Sequence, residues 1–368
     1  MRVCFSAVCI QLAAIGFFFN AEFLWGNSSQ VTNLLDSGVG SFREALLNAE
    51  EDDCLVFDGA LSGTITLLSP LPSIDEDLKI LGPPSGAVTI SGNNLFPIFQ
   101  VGNDCTVIIN DLQLTAGATG GSGAALFIGD DADVVVSNSS ITNCAAAGSA
   151  GGAIHIGAEA MLRTNDVTYS GNTSGGSGND VFLSQGSTFK HFCSQDNPAI
   201  DIFGEGQVVK QGSATATFNV SKATPLTFTI EEGMVIASGV RTGPSFVFGK
   251  LMGGQTSLYI ANHGLVKPSK TIGTMISTGN YYQDKQATLE ISVSPEASDL
   301  LQVGGDAYLC GILSIIPEVG TYAVGTTYTI LEIGGGISGP FDAVVSSGSM
   351  AFVPHYLDDR ITIEITSL

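Results

Sequence analysis

Residues 107–132 (VIINDLQLTAGATGGSGAALFIGDDA), 135–160 (VVSNSSITNCAAAGSAGGAIHIGAEA) and 162–187 (LRTNDVTYSGNTSGGSGNDVFLSQGS) are three versions of one unit. Laid in register, Leu126, Ile154 and Val181 share a column, and Ile128, Ile156 and Leu183 share another, at intervals of 28 and 27 residues. The same register aligns Asn110, Asn138 and Asn165. Each unit holds short β-rich runs, an Asn-containing turn and a Gly-rich loop. A hairpin array would alternate strand direction and needs no fixed period. A fixed period with identical apolar columns predicts a parallel coil that stacks like on like, each turn adding ~4.8 Å. Stacked Asn side chains can then hydrogen-bond along the axis. The alternative is an antiparallel sandwich.

The composition agrees with β-structure. Charged residues are 13% of the chain, against roughly 25% in an average domain, and there are 46 glycines. Hydrophobic residues reach 44%, enough for a sizeable core. With 13 Lys and Arg against 35 Asp and Glu, the net charge is −22. Phosphate binding needs clustered cations, so nucleic acid is excluded as a partner.

Helical periodicity is clear once, at Ser41 to Glu50. Ser41 and Glu44 form a capping box, and Phe42, Ala45, Leu46 and Ala49 make one apolar face, suited to cover an open coil. Strands are expected at Gly63–Leu67, Leu78–Gly82 and Ala87–Asn94, bounded by four prolines between 70 and 84. After residue 270 the runs lengthen, notably at Ala287–Val293, Tyr328–Ile333 and Ile361–Ile365. That texture suits a terminal module closing the other end.

Arg2 followed by an apolar run at residues 3–19 reads as an export signal, with a buried strand or an uncleaved anchor as alternatives. Cys4 and Cys9 fall inside it. Cys54, Cys105, Cys144, Cys193 and Cys310 remain, with no C-x-x-C pair. They read either as small buried hydrophobes or as crosslinking thiols outside the cytoplasm.

No strong catalytic motif is present: neither G-x-S-x-G nor H-E-x-x-H occurs. Gly334–Gly339 satisfies G-x-G-x-x-G, but Pro340 follows where a phosphate cradle needs a helix, so a loop is expected. Asp130, Asp131 and Asp133 share one turn. Asp131 aligns loosely with Glu159, and no Lys or Arg is expected nearby, so a solvated turn is the reading. The N-x-[ST] triplets at Asn27, Asn138, Asn172 and Asn219 are expected by chance. Phe127, His155 and Phe182 fall between the two inward columns and therefore point outward. They read as a stacked aromatic ladder under a loop, or as a binding patch for sugar or peptide. They are the candidate binding residues; no catalytic residue, metal site or cofactor is assigned.

Two parts of the chain resemble exported bacterial β-helix proteins. Residues 31–56 are similar to the N-terminal cap of exported right-handed β-helices. Gly151-Gly152-Ala153-Ile154, followed by Tyr169-Ser170-Gly171-Asn172, resembles the GGA-I and F-x-x-N repeats of chlamydial-type polymorphic outer-membrane proteins, with Tyr in place of Phe. Residues 272–365 resemble the pertactin-like C-terminal passenger region of autotransporters. They carry G-N-Y-x-Q at Gly279–Gln283, D-x-L-x-V-x-G-x-A-x-L-x-G at Asp299–Gly311, Y-x-x-G-x-x-YTIL at Tyr322–Leu331, and a Gly-rich turn with P-F at Gly334–Phe341. In that family a translocator barrel follows, whereas this sequence ends at Leu368.

The resulting expectation is an all-β, right-handed parallel β-helix with an N-terminal helix cap and a C-terminal β-rich capping module. Its parts are a signal peptide (1–26), a cap (27–60), the coil (61–270) and a pertactin-like module (271–368). The resemblance implies an exported, non-enzymatic passenger acting as an adhesin. It would be secreted or held at the outer surface of a Gram-negative-type bacterium, or periplasmic if translocation fails. Its partner would be a host-cell or surface receptor or a glycan, and no segment beyond the signal would span a membrane. The alternatives are a polysaccharide-degrading β-helix enzyme, or a truncated passenger without a function of its own.

Overall fold

The structure, a computed structural model, describes residues 26–148, 151–176 and 178–368. The apolar run at residues 3–19, with Cys4 and Cys9, lies outside them. The described chain is a parallel β-helix. One sheet of 14 strands runs its length, from Ser28–Val31 to Ile337–Ser338. A second long sheet faces it, starting at Phe99–Val101. A third side of five strands, Gly63–Thr66 to Thr168–Ser170, and a short three-stranded edge complete the section of the N-terminal half.

The repeat coils show how sequence dictates the path. Thr106–Asn110 leads through a corner at Asp111 into Leu112–Thr115. A Gly-rich loop then leads to Leu126–Ile128, and the chain re-enters the first sheet at Asp133–Ser137. The corners need left-handed backbone, and short polar residues that tolerate it stand there. Asp111, Asn138 and Asp166 have φ of 57°, 48° and 50°, and Asp104, Asp131 and Glu159 have 60°, 59° and 56°.

The apolar columns follow the expected register: Leu126 pairs with Ile154 and Ile154 with Val181, while Ile128 pairs with Ile156 and Ile156 with Leu183. The expected Asn column is displaced by one. Ser137, not Asn138, lies between Asn110 and Asn165 in the ladder. Asn138 sits one residue on, at the corner it shares with Asp111 and Asp166, and reaches Asn110 diagonally at 3.4 Å. The cause is where the middle coil carries its extra residue. Ala146 still pairs with Thr119, a step of 27, whereas Ile154 pairs with Leu126, a step of 28. The insertion therefore lies between Ala146 and Ile154, after the Asn turn rather than before it.

Along the 14-stranded sheet the coil changes girth. Successive inward partners are Val107, Val134, Leu162, Phe189, Val208, Phe228, Ser245, Ile260, Tyr281 and Ala307. The step is 27 or 28 up to Phe189, falls to 15 between Ser245 and Ile260, and returns to 26 between Tyr281 and Ala307. The third side stops at Thr168–Ser170, which is where the step shortens.

Both ends are closed by local structure. The helix is Phe42–Leu47, shorter than its periodicity predicts. Ser41 accepts the Glu44 N–H at 3.2 Å, and Glu44 reaches back to the Gly40 N–H at 2.6 Å. Glu50, Glu51, Asp52 and Asp53 follow, and acids at a helix C-terminus oppose its dipole. Phe42 packs on Phe57 and Phe99 with ring centroids 5.3 and 6.0 Å apart, sealing the first coils. At the far end Arg360–Ser367 runs antiparallel to Thr327–Ile333 and to Ala351–Tyr356, ending the parallel stack. Among the described residues no helix is long and apolar enough to cross a membrane.

Ile156 is fully buried between Ile128 and Leu183. Ile156→Asp places a charge in that column and is expected to cost several kcal/mol. Asp131→Asn keeps a residue suited to its left-handed corner and should change little. Chemical denaturation of the two variants checks both outcomes.

Candidate functional site

The outward column falls where alternation places it. Phe127 pairs with His155 and His155 with Phe182. Ring centroids are 4.8 Å apart at 4° between Phe127 and His155, and 5.1 Å apart at 23° between His155 and Phe182. In-register parallel strands fix this spacing, and it falls within the favourable range for stacked rings, worth roughly 0.5–1.5 kcal/mol per pair. The ladder continues to Phe203, 5.9 Å from Phe182. The repeat alignment misses Phe203 because the coil has already shortened there.

A glycine column shapes one flank of the ladder. Gly123, Gly151 and Gly178 each have φ of +67°. A Cβ at these positions would lie 3.0 Å from the Cβ of His155, Phe182 and Phe203 respectively. These three glycines thus lie against the ladder without burying it. Phe127 remains 36% exposed, and His155 and Phe182 are half-buried. Burial lowers the His155 pKa, opposed by Asp130, so the imidazole is neutral near pH 7. Its Nε2 lies 3.4 Å from Ser184 Oγ.

The acidic turn is more engaged than its sequence suggests. Asp130 accepts the Ala158 N–H of the next coil at 2.8 Å, Asp131 holds a left-handed corner, and Asp133 pairs with Arg163. The expectation of no basic residue nearby is therefore corrected. Arg163 is 30 residues away in sequence, yet one coil brings it alongside, and Lys190 is its neighbour on the following coil. Gly334–Gly336 forms a corner whose Gly336 N–H is held by Asp306 at 2.8 Å. The chain leaves it as strand at Ile337–Ser338, not as a helix.

One inward column turns polar where the third side ends. After Ile109 and Val136 come Thr164, His191 and Lys210, then Ile230. His191 is fully buried. Its Nδ1 lies 2.9 Å from Thr164 Oγ1, and its Nε2 lies 3.1 Å from Asn197 Nδ2. Lys210 Nζ donates to the Gln211 and Gly212 carbonyls. Burial, reinforced by Lys210, pushes the His191 pKa down to about 3. Further along, Arg241 is buried over the Phe228 ring at 4.0 Å and donates to Ser245 and Ser257 at 2.9 and 2.8 Å.

Other sequence features resolve as structure. Asn172 is buried; it accepts the Cys144 N–H at 3.0 Å and donates to Ile141 O and Asp180. Cys105, Cys144 and Cys193 are buried thiols and Cys310 is half-buried. In Gly279–Gln283, Tyr281 and Gln283 point inward and bond at 2.7 Å, while Tyr282 points out and stacks on Tyr308 at 4.9 Å. Among the described residues no group of His, Cys, Asp and Glu is arranged to hold a metal ion. No protein-family model matches the chain, and the search of curated proteins returns no match.

His191 supplies a pH test of the interior column. Its folded pKa lies below the ordinary value of 6.5, so the unfolded chain binds the extra proton. The resulting stability is complete above about 6.5 and is lost as pH falls toward about 3. His191→Gln should flatten that acid slope relative to the parent by a few kcal/mol. Urea unfolding at pH 4 and pH 7.5 measures the difference, and an unchanged slope would remove His191 from the account.

Proposed function

We propose that this chain is an exported, non-enzymatic β-helical passenger of autotransporter type. In this reading it acts as a surface adhesin toward a host-cell or surface receptor or a glycan. A stack of coils makes a stiff rod, and such a rod acts through its lateral faces. The observation that carries the reading is the half-exposed ladder Phe127, His155, Phe182 and Phe203, a continuous aromatic strip spanning four coils. Exposed aromatic strips with few charges suit contact surfaces. The resemblance of residues 272–365 to a passenger C-terminal region adds support. So do the inward bonding of Tyr281 and Gln283 within G-N-Y-x-Q and the buried Asp299, which accepts the Gly273 and Ser292 N–H groups at 2.9 and 2.8 Å.

The Asp133–Arg163 pair gives the polysaccharide-degrading alternative one feature that enzyme would need. That pair spans adjacent coils, and its single carboxylate is already committed to the cation.

The test is attachment of the full chain, immobilised on beads, to cultured epithelial cells and to bacterial cells. Phe182→Ser is expected to lower attachment at least tenfold while thermal unfolding stays cooperative. Unchanged attachment would overturn the ladder as the contact surface. Turnover of pectin, chitin or glucan by the parent, lost in an Asp130→Asn/Asp133→Asn double variant, would replace this reading with the enzymatic one.

A further inference from the structure

The ladder ends differently at its N-terminal side, and that end has the makings of a binding site. Every ring after Phe127 has a ring on the coil before it. Phe127 has Gln100 instead, its register partner on the strand Phe99–Val101. One face of Phe127 is covered by His155 at 4.8 Å, and the opposite face turns toward the Gln100 coil. There it borders an open groove of about 370 Å³, lined also by Gln100, Asn103, Thr119 and Ser122.

The polar groups of this groove have spare capacity. Asn103 Oδ1 accepts the Asp130 N–H at 3.0 Å, which leaves its Nδ2 as a donor. Thr119 Oγ1 accepts the Gly121 N–H at 3.1 Å and keeps its own O–H. The Gln100 side chain is exposed and makes no hydrogen bond among the described residues. It therefore offers both a carbonyl oxygen and an NH₂. The groove thus joins a free aromatic face to uncharged groups that can donate and accept.

We propose that this groove binds a neutral pyranose unit of a glycan, an inference that rests on the contact reading above and names its ligand. A sugar ring carries C–H groups on one face and hydroxyls around its rim. The C–H face is the positive partner that an aromatic π-face attracts. The rim hydroxyls both donate and accept, as the Gln100 and Asn103 amides and the Thr119 and Ser122 hydroxyls require. An apolar peptide segment would leave those amides unpaired at a cost. A sialylated, sulfated or uronate unit would enter a chain of net charge −22 through a groove with no cation in its lining. The same groove therefore selects against anionic sugars.

The experiment uses the full chain. It is screened on an array of neutral, sialylated, sulfated and uronate oligosaccharides, and the best neutral probe is then titrated by calorimetry. The expected result is binding confined to neutral probes. Phe127→Ala should weaken it at least tenfold and Gln100→Ala severalfold, with Gln100→Ala melting like the parent and Phe127→Ala still unfolding cooperatively. Phe248→Ala removes an exposed ring stacked on His263 at 4.8 Å, outside both ladder and groove, and should leave sugar affinity unchanged. Absence of any neutral hit, preference for an anionic probe, or equal losses from Phe127→Ala and Phe248→Ala would each overturn the site. Cell attachment that depends on Phe182, without neutral-sugar binding, overturns the groove and leaves the ladder reading standing. Sugar binding that depends on Phe127, with attachment indifferent to Phe182, supports the groove and overturns the ladder reading.

Discussion

Parallel, in-register stacking governs this molecule: every side chain must be compatible with whatever occupies the same place one coil above and below. Aliphatic residues meet the condition by packing, as in the Ile128, Ile156 and Leu183 column. Aromatic residues meet it by lying face to face at the strand spacing. Polar residues meet it only where hydrogen bonds run along the axis, as when Asp130 holds the Ala158 amide and Asn172 holds the Cys144 amide. Charged residues fit poorly, because a stacked column repeats its own sign. The low content of charged residues follows from this constraint as much as from burial. Where charges do stack, as at Arg163 and Lys190, a carboxylate from the adjoining coil stands beside Arg163.

That constraint explains which features were legible in the sequence. The apolar and aromatic columns could be read because Leu126-Phe127-Ile128, Ile154-His155-Ile156 and Val181-Phe182-Leu183 repeat one pattern of size and polarity. The Asn column could not be placed, because a single insertion can be put on either side of an Asn turn without disturbing the apolar match. Backbone conformation resolves it: Asp111, Asn138 and Asp166 share a left-handed corner that Asn and Asp tolerate. The sequence cue was the two-residue step of Asn-Asp, Ser-Asn and Asn-Asp, rather than the Asn alone.

The rest divides into what a fuller use of the period would have found and what it could not. Stepping back 27 residues from Leu126-Phe127-Ile128 reaches Phe99-Gln100-Val101, so the end of the ladder was accessible. The same step brings Arg163 beside Asp133 despite their separation in sequence. The shortening of the coil after Phe189 was not accessible, since no repeat of fixed length survives it. The Thr164, His191 and Lys210 column was hidden for the same reason. Its polarity is understandable only once the third side has stopped and the Asn197 segment has closed over the gap.

The change in girth gives the rod an uneven mechanical character. Between Thr106–Asn110 and Asp133–Ser137 five residues pair across the long sheet, whereas between Ser245–Val247 and Ile260–Asn262 only three do. The smaller section of the narrow region gives it less resistance to bending than the N-terminal coils. A transverse load would therefore concentrate its curvature there rather than in the broad half that bears the aromatic strip.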